Sequence, residues 1–241
     1  MEWTDEALIL STRPHGETAA IAELFTRARG RCVVLVHGGR SRKLRPVLQA
    51  GNHVDATWKA RLEDQLGHAS VELRRGFAAE FMNDPAALAG LMSLAAICHL
   101  LPEREPHPSL FEVAHFVLGY LDDADIWPAL MVRFELALLG ELGFGLDLTS
   151  CAATGATEAL EWVSPRSGRA VSHMAGLPYR DRLLALPKFL IGSGGAASKE
   201  DIAAGFALTG HFLRARVYAP AGQELPAARA RMIELVARRA A

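Results

Sequence analysis

No apolar run reaches the roughly eighteen residues that a membrane-spanning helix needs, so no span is expected. Cysteine is scarce: Cys32, Cys98 and Cys151 are far apart and odd in number. That usage fits reduced thiols in a cytosol better than a disulfide framework. The nine histidines show no short paired spacing. There is no Gly-x-Ser-x-Gly elbow, no His-Glu-x-x-His and no Walker loop, so no familiar hydrolytic or nucleotide-cleaving motif is present. The first ten residues, MEWTDEALIL, carry acids and no basic start, so a secretory signal is not expected.

The 241 residues suit one large domain or two modest ones, and half are apolar, enough for a sizeable core. A net charge of −1 hides an asymmetry. Between Arg27 and Arg61 lie nine basic residues, Arg27, Arg29, Arg31, Arg40, Arg42, Lys43, Arg45, Lys59 and Arg61, against one acid, Asp55. Four of them fall in HGGRSRKLRP, directly after the apolar segment Cys32–Val36. A cationic, glycine-started loop at the end of a buried strand is either a solvated face or a seat for something anionic. Gly38 and Gly39 would let backbone approach phosphates closely. Aromatics near the patch are few (Phe25, Trp58, Trp3), which favours phosphate contact over base stacking.

Five short strands are predicted in the first 80 residues, over 4–13, 18–26, 31–37, 51–60 and 68–75, with turn signals such as Pro14-His15-Gly16 between them. That spacing suggests a small barrel or sandwich. After Gly76 the period becomes helical. Asp84-Pro85 reads as a cap followed by proline at the first helical position, in a helix ending near Leu101-Pro102. A second helix follows Pro106-His107-Pro108-Ser109. A third, 128–142, is apolar around most of its circumference and should be central to a core. Residues 143–176 are irregular, with a hairpin over 160–163 and 169–173; helical patterns resume over 179–186, 199–217 and 226–239. Gly192-Ser193-Gly194-Gly195 reads as a connector. Asp122, Asp123 and Asp125 read as a polar turn before a helix. Cys98-His99 lies on an apolar helix face, where a thiol behaves as a small hydrophobe. Cys151 has no partner three residues on and only His173 downstream, short of the four ligands a structural zinc needs, so no metal is expected.

The course Glu2–Arg42, with its Arg13-Pro14-His15-Gly16-Glu17 turn and Gly-Gly-Arg-Ser loop, resembles the bacterial RecO family of recombination and repair mediators. The more specific piece is RFELALLGELGFG, residues 133–145, continuing to Cys151-Ala152-Ala153-Thr154-Gly155. The resemblance implies an α+β chain: an N-terminal five-stranded OB-fold barrel over 1–80, then a helical bundle over 81–241 with a zinc-finger-like insertion at 146–176. Zinc-bearing members hold that insertion with four cysteines; only Cys151 matches here, so no cofactor is expected. The resemblance also implies binding to single- and double-stranded DNA, strand annealing and partnership with RecR. It implies docking of the acidic, Phe-ended tail of the single-stranded-DNA-binding protein, and indirect help in loading RecA. It implies a cytoplasmic, nucleoid-associated protein that makes and breaks no bonds.

On that basis Arg40, Arg42, Lys43 and Arg45 are expected first at the DNA, then Arg27, Arg29, Arg31, Lys59 and Arg61, neutralising charge rather than reading bases. Arg133, charged in an apolar helix, should pair with Glu135 or Asp147 or reach solvent, or else stand at the rim of the slot for the partner peptide. The alternative function is an OB-type RNA-binding module. An enzyme assembled from His99, His115, Asp122 and Asp123 has no support in their spacing.

Overall fold

The computed structural model describes residues 1–62, 65–192 and 197–239. Ser193–Gly195 of the expected connector lie outside them. Five strands form a closed barrel: β1 (Glu2–His15), β2 (Ala19–Thr26), β3 (Gly30–Val36), β4 (His53–Lys59) and β5 (His68–Arg75), in the order β1-β2-β3-β5-β4. All neighbours are antiparallel except β3 and β5, which meet in parallel at Leu35 and His68. Alternation puts one parity inside: Ala20, Ala22 and Leu24 of β2, Cys32, Val34 and Val36 of β3, Val54, Ala56 and Trp58 of β4. Small residues suit so narrow an interior. β1 serves two neighbours, β4 with its first half and β2 with its second, with a shift in register between Ile9 and Ser11.

The outer parity is buried as well. Leu8, Leu10 and Phe25 are almost inaccessible. They lie on the side covered by α1 (Phe77–Glu80), α2 (Pro85–Cys98) and α3 (Pro108–Gly119), where Phe25 meets the Phe111 ring edge-on at 5.5 Å. The α2 start follows the sequence rule: the Asp84 carboxylate accepts the amides of Ala86 and Ala87, both at 3.0 Å, and Pro85 takes the first position. Barrel and three helices make one compact unit, Met1–Asp122.

The second unit, residues 123–241, is built on α4 (Trp127–Glu141), which buries Trp127, Met131, Val132, Phe134, Leu138 and Leu139. A small sheet follows, of β6 (Leu160–Val163), β7 (Ala170–Ser172) and β8 (Leu184–Ala185), with α5 (His173–Gly176) between β7 and β8. Then come α6 (Lys199–Phe212), opened by a Ser198–Asp201 capping box and continued by wider turns to Tyr218, and α7 (Ala227–Arg239). The helix expected over 179–186 is a correction. A 3-10 helix over Leu177–Arg182 ends there, and Leu184 and Ala185 pair with Val163 and Trp162 of β6. Pro178 suits a helix start, and Pro187 disfavours helical backbone at Leu186.

Candidate nucleic-acid interface

The connection from β3 to β4, residues 37–52, carries the basic run and is itself ordered. Backbone amides of Arg45 and Leu48 return to the carbonyls of Ser41 and Leu44, at 3.0 and 2.9 Å, and the Leu44 amide donates to the Ser41 hydroxyl. Helical spacing of those turns separates two faces. Leu48 is buried in the barrel core, and Leu44 and Val47 pack against it. Arg42, Lys43 and Arg45 point the other way and are exposed. The Asn52 side chain ties the segment down, donating to the carbonyls of Pro46 and Val47, and Thr12 donates to that of Leu48 at 2.9 Å. Among the described residues no acidic side chain pairs with Arg42, Lys43 or Arg45.

Arg40 joins this connection to the β1–β2 turn: its amide donates to Thr18 and its guanidinium to the Gly16 carbonyl at 2.9 Å. Arg13 and His15, at the end of β1 where it enters that turn, are exposed. The parallel pairing at Leu35–His68 brings the end of the β4–β5 connection to the end of β3, with the His68 ring 5.6 Å from His37. Exposed Arg61 lies on that connection, while Lys59, at the end of β4, pairs with Glu2 at 2.9 Å.

The other three cations belong elsewhere. Arg27, Arg29 and Arg31 sit at the β2–β3 turn, separated from Arg40 by the length of β3. At about 3.3 Å per residue that is on the order of 20 Å. Arg27 pairs with Glu112 at 2.7 Å. Arg31 is largely covered; it bonds the Glu23 carboxylate and donates to the Leu101 carbonyl at 2.7 Å. Burial pushes the Glu23 carboxyl up, but Arg31 and His99 outweigh it and hold the group below its ordinary range.

Neither acid named for Arg133 pairs with it. Glu135, fully buried, bonds Arg229 of α7 and Thr209 of α6, and Asp147 pairs with Arg169. Arg133 itself is exposed, donates to the Phe189 carbonyl and lies with its guanidinium carbon 6.0 Å from that ring's centre. A separate groove of about 450 Å³ runs between the start of α4, α6 and α7, with Pro128, Ile202, Phe206 and Val236 on its walls and Lys199 among its lining residues.

The insertion does not fit a metal. Cys151 supplies one thiol, Thr154 stands where a second would, and Ser172 offers a hydroxyl; zinc wants four nitrogen or sulfur donors. Among the described residues no group of three or more His, Cys, Asp or Glu comes together. The Cys151 sulfur is instead wrapped by donors: the Ser172 amide at 3.2 Å and its hydroxyl at 3.4 Å. Burial pushes this thiol up, but hydrogen bonds from the Ser172 and Thr154 side chains and the Ser172 and Ala153 amides bring it down to about 6.

The chain matches two family models, "Recombination protein O N terminal" over residues 1–77 and "Recombination protein O C terminal" over 82–223. A DNA repair protein RecO of Methylobacterium nodulans is 52% identical over 240 residues, 98% of each chain. That of Phenylobacterium zucineum is 54% identical over 230 residues, 95% of each, and that of Rhodospirillum centenum 54% identical over 237, covering 97% of this chain and 94% of the relative.

Proposed function

The chain belongs to the recombination protein O family, whose relatives are DNA repair proteins, and from that premise we propose that it is a non-enzymatic DNA-binding recombination mediator. In this reading the barrel screens repulsion between two phosphate backbones so that complementary strands pair. With RecR, the protein then helps place RecA on single strands coated by the single-stranded-DNA-binding protein. It works in the cytoplasm, at the nucleoid.

One observation carries the reading. The β3–β4 connection is locked to the barrel by Leu44, Val47 and Leu48 and holds Arg42, Lys43 and Arg45 outward, with Arg40 fastened beside the β1–β2 turn. Cations held in fixed positions on an ordered loop can follow a polyanion without a large ordering cost. Arg61 extends the same surface. Arg27, Arg29, Arg31 and Lys59 form a weaker periphery, since Arg27, Arg31 and Lys59 already meet carboxylates.

Residues 1–80 are assigned the nucleic acid, and 81–241, including the insertion at 146–176, the protein partners. Arg133 is kept as the cation of a partner-peptide site, supported by its exposure beside Phe189. The separate groove between α4, α6 and α7 offers apolar walls for the aromatic end of such a tail, with Lys199 as well as Asp125 and Glu200 on its lining.

The test is annealing of complementary strands coated with the cognate single-stranded-DNA-binding protein, at several salt concentrations, with and without a chelator. Pairing should be faster with the protein, weaken with salt and ignore the chelator. Failure to speed pairing at low salt would sink the reading, and RNA competing better than DNA of equal length would turn it toward RNA.

A further inference from the structure

One mouth of the barrel, where β1 begins and β4 ends, holds an aromatic pair that phosphate binding does not use. Trp3 and Trp58 are direct cross-strand partners, their rings stacked with centroids 5.6 Å apart and planes 17° apart. The rest of the barrel core is alanine, valine, leucine, isoleucine and one cysteine, so two indoles here are out of keeping with simple filling. Trp58 is held in one pose. Its Nε1 donates to the Leu66 carbonyl at 3.2 Å, and Gly67, at φ +59, lies so close that an added Cβ would come within 2.2 Å of that nitrogen. Trp3 is only part buried.

Beside the pair opens a pocket of about 150 Å³, lined by Trp3, Ala28, Arg29, Cys32, Trp58 and Arg104 among others. Its far wall is fixed from two directions. Glu103 bridges to Arg31, and the Arg104 amide donates to the Arg31 carbonyl at 2.8 Å. The next residue presses against the β2–β3 turn so tightly that a Cβ on Gly30 would lie 1.8 Å from the Glu105 carbonyl oxygen. Arg104 adopts a left-handed φ of 64°, unfavourable for a residue with a Cβ, and places its guanidinium at the pocket, one nitrogen donating to the Gln65 carbonyl at 3.1 Å.

The chemistry of the walls selects the occupant. Glu103 lies 3.6 Å from Arg104, so that charge is already partly answered. Burial keeps the Cys32 thiol protonated, pushed up to about 11, so its wall is neutral. A bare phosphate gains little from such a place. A flat heteroaromatic ring gains an indole face and, at its edge, guanidinium donors.

We propose that this pocket takes one unpaired nucleobase of a single strand that runs on, over several nucleotides, to the basic connection at the other end of β3, on the order of 20 Å away. The proposal rests on the DNA-binding reading above and deepens it. A base inside a duplex stack cannot enter, so the pocket confers a preference for single strands that the cationic loop alone cannot supply.

The test uses the full chain and two short oligonucleotides of equal length and phosphate number: one of thymidine, one with every base removed. Affinity is read by anisotropy and stacking by tryptophan emission. The thymidine strand should bind at least about fivefold tighter, the low end of what one stacked base contributes, and should quench emission. Trp3→Leu should abolish both the advantage and the quench while leaving the salt slope unchanged. Arg104→Gly keeps the left-handed backbone and removes the guanidinium, so it should shrink the advantage even if Trp3→Leu proves unstable. Equal affinities without quenching, both lost in the Arg42→Ala, Lys43→Ala variant, would overturn the pocket and leave the DNA-binding reading standing. An advantage that survives Trp3→Leu and Arg104→Gly would also overturn it. No binding of either strand would overturn both readings.

Discussion

A cation's worth to a polyanion depends on what else already holds it. Arg42 and Lys43 are exposed, on a loop whose opposite face is anchored, whereas Arg31 bonds Glu23 and the Leu101 carbonyl. The two kinds should fail differently. Replacing Arg42 and Lys43 together by alanine should flatten the log–log salt dependence of single-strand binding by about 1.4, at roughly 0.7 per phosphate contact, and leave thermal stability unchanged. Arg31→Ala should leave that slope alone and cost roughly 1–3 kcal/mol of stability, because it strands charge-assisted bonds in a half-buried place. Salt titrations of both variants beside urea melts decide the matter; a slope change in Arg31→Ala without loss of stability would move Arg31 into the interface.

At the scale of elements, the second unit is pinned by one polar cluster. Glu135 on α4 meets Arg229 on α7, 94 residues away, at 2.8 and 2.9 Å, and Thr209 on α6 donates to the same carboxylate. Glu135 is fully buried and Arg229 nearly so. Arg229→Met leaves a buried carboxylate without its partner and should cost about 3–5 kcal/mol, while Glu135→Leu combined with Arg229→Met should recover most of it. A double variant as unstable as the single would mean the cluster contributes geometry that apolar packing cannot replace. This cluster also marks what sequence could reveal. The period of 128–142 predicts a central helix because burial demands apolar residues around it, and the alternation of Ala20, Ala22 and Leu24 predicts a barrel strand for the same reason. Which cation neutralises Glu135 follows from how three helices meet, and no local pattern encodes it; Arg133, expected to pair with Glu135 or Asp147 or to reach solvent, takes the last course. The basic loop was legible as composition. Its two faces were not, because they depend on turns that Asn52 and Thr12 close from outside the run. β8 went unseen since two residues carry no period, and the Trp3–Trp58 pocket because its residues come from four separate segments.

Across the Met1–Asp122 unit as a whole, barrel and helices are joined over a histidine pair, and that junction gives the fold a pH dependence. His53 of β4 is buried, and its ring lies 4.6 Å from that of His115 on α3, with Phe111 and Phe77 around the two. Its Nε2 is 3.6 Å from a Glu6 carboxylate oxygen, beyond hydrogen-bond reach, and among the described residues it has no hydrogen-bond partner. Burial first, and then His115 and Arg74, hold His53 below the ordinary imidazole value, against the opposing pull of Glu6 and Asp55. The folded state therefore keeps the ring neutral at a pH where the unfolded chain protonates it. Stability from this site is fully present above the unfolded value of about 6.5 and is lost as pH falls from there toward the lower folded value, because the unfolded state then binds the extra proton. Thermal melts between roughly pH 7.5 and 5 should show a falling midpoint, and His53→Leu, similar in volume but unable to charge, should fall less over the same range. A His53→Leu slope equal to that of the parent would place the titrating group elsewhere and leave the imidazole pair a matter of packing alone.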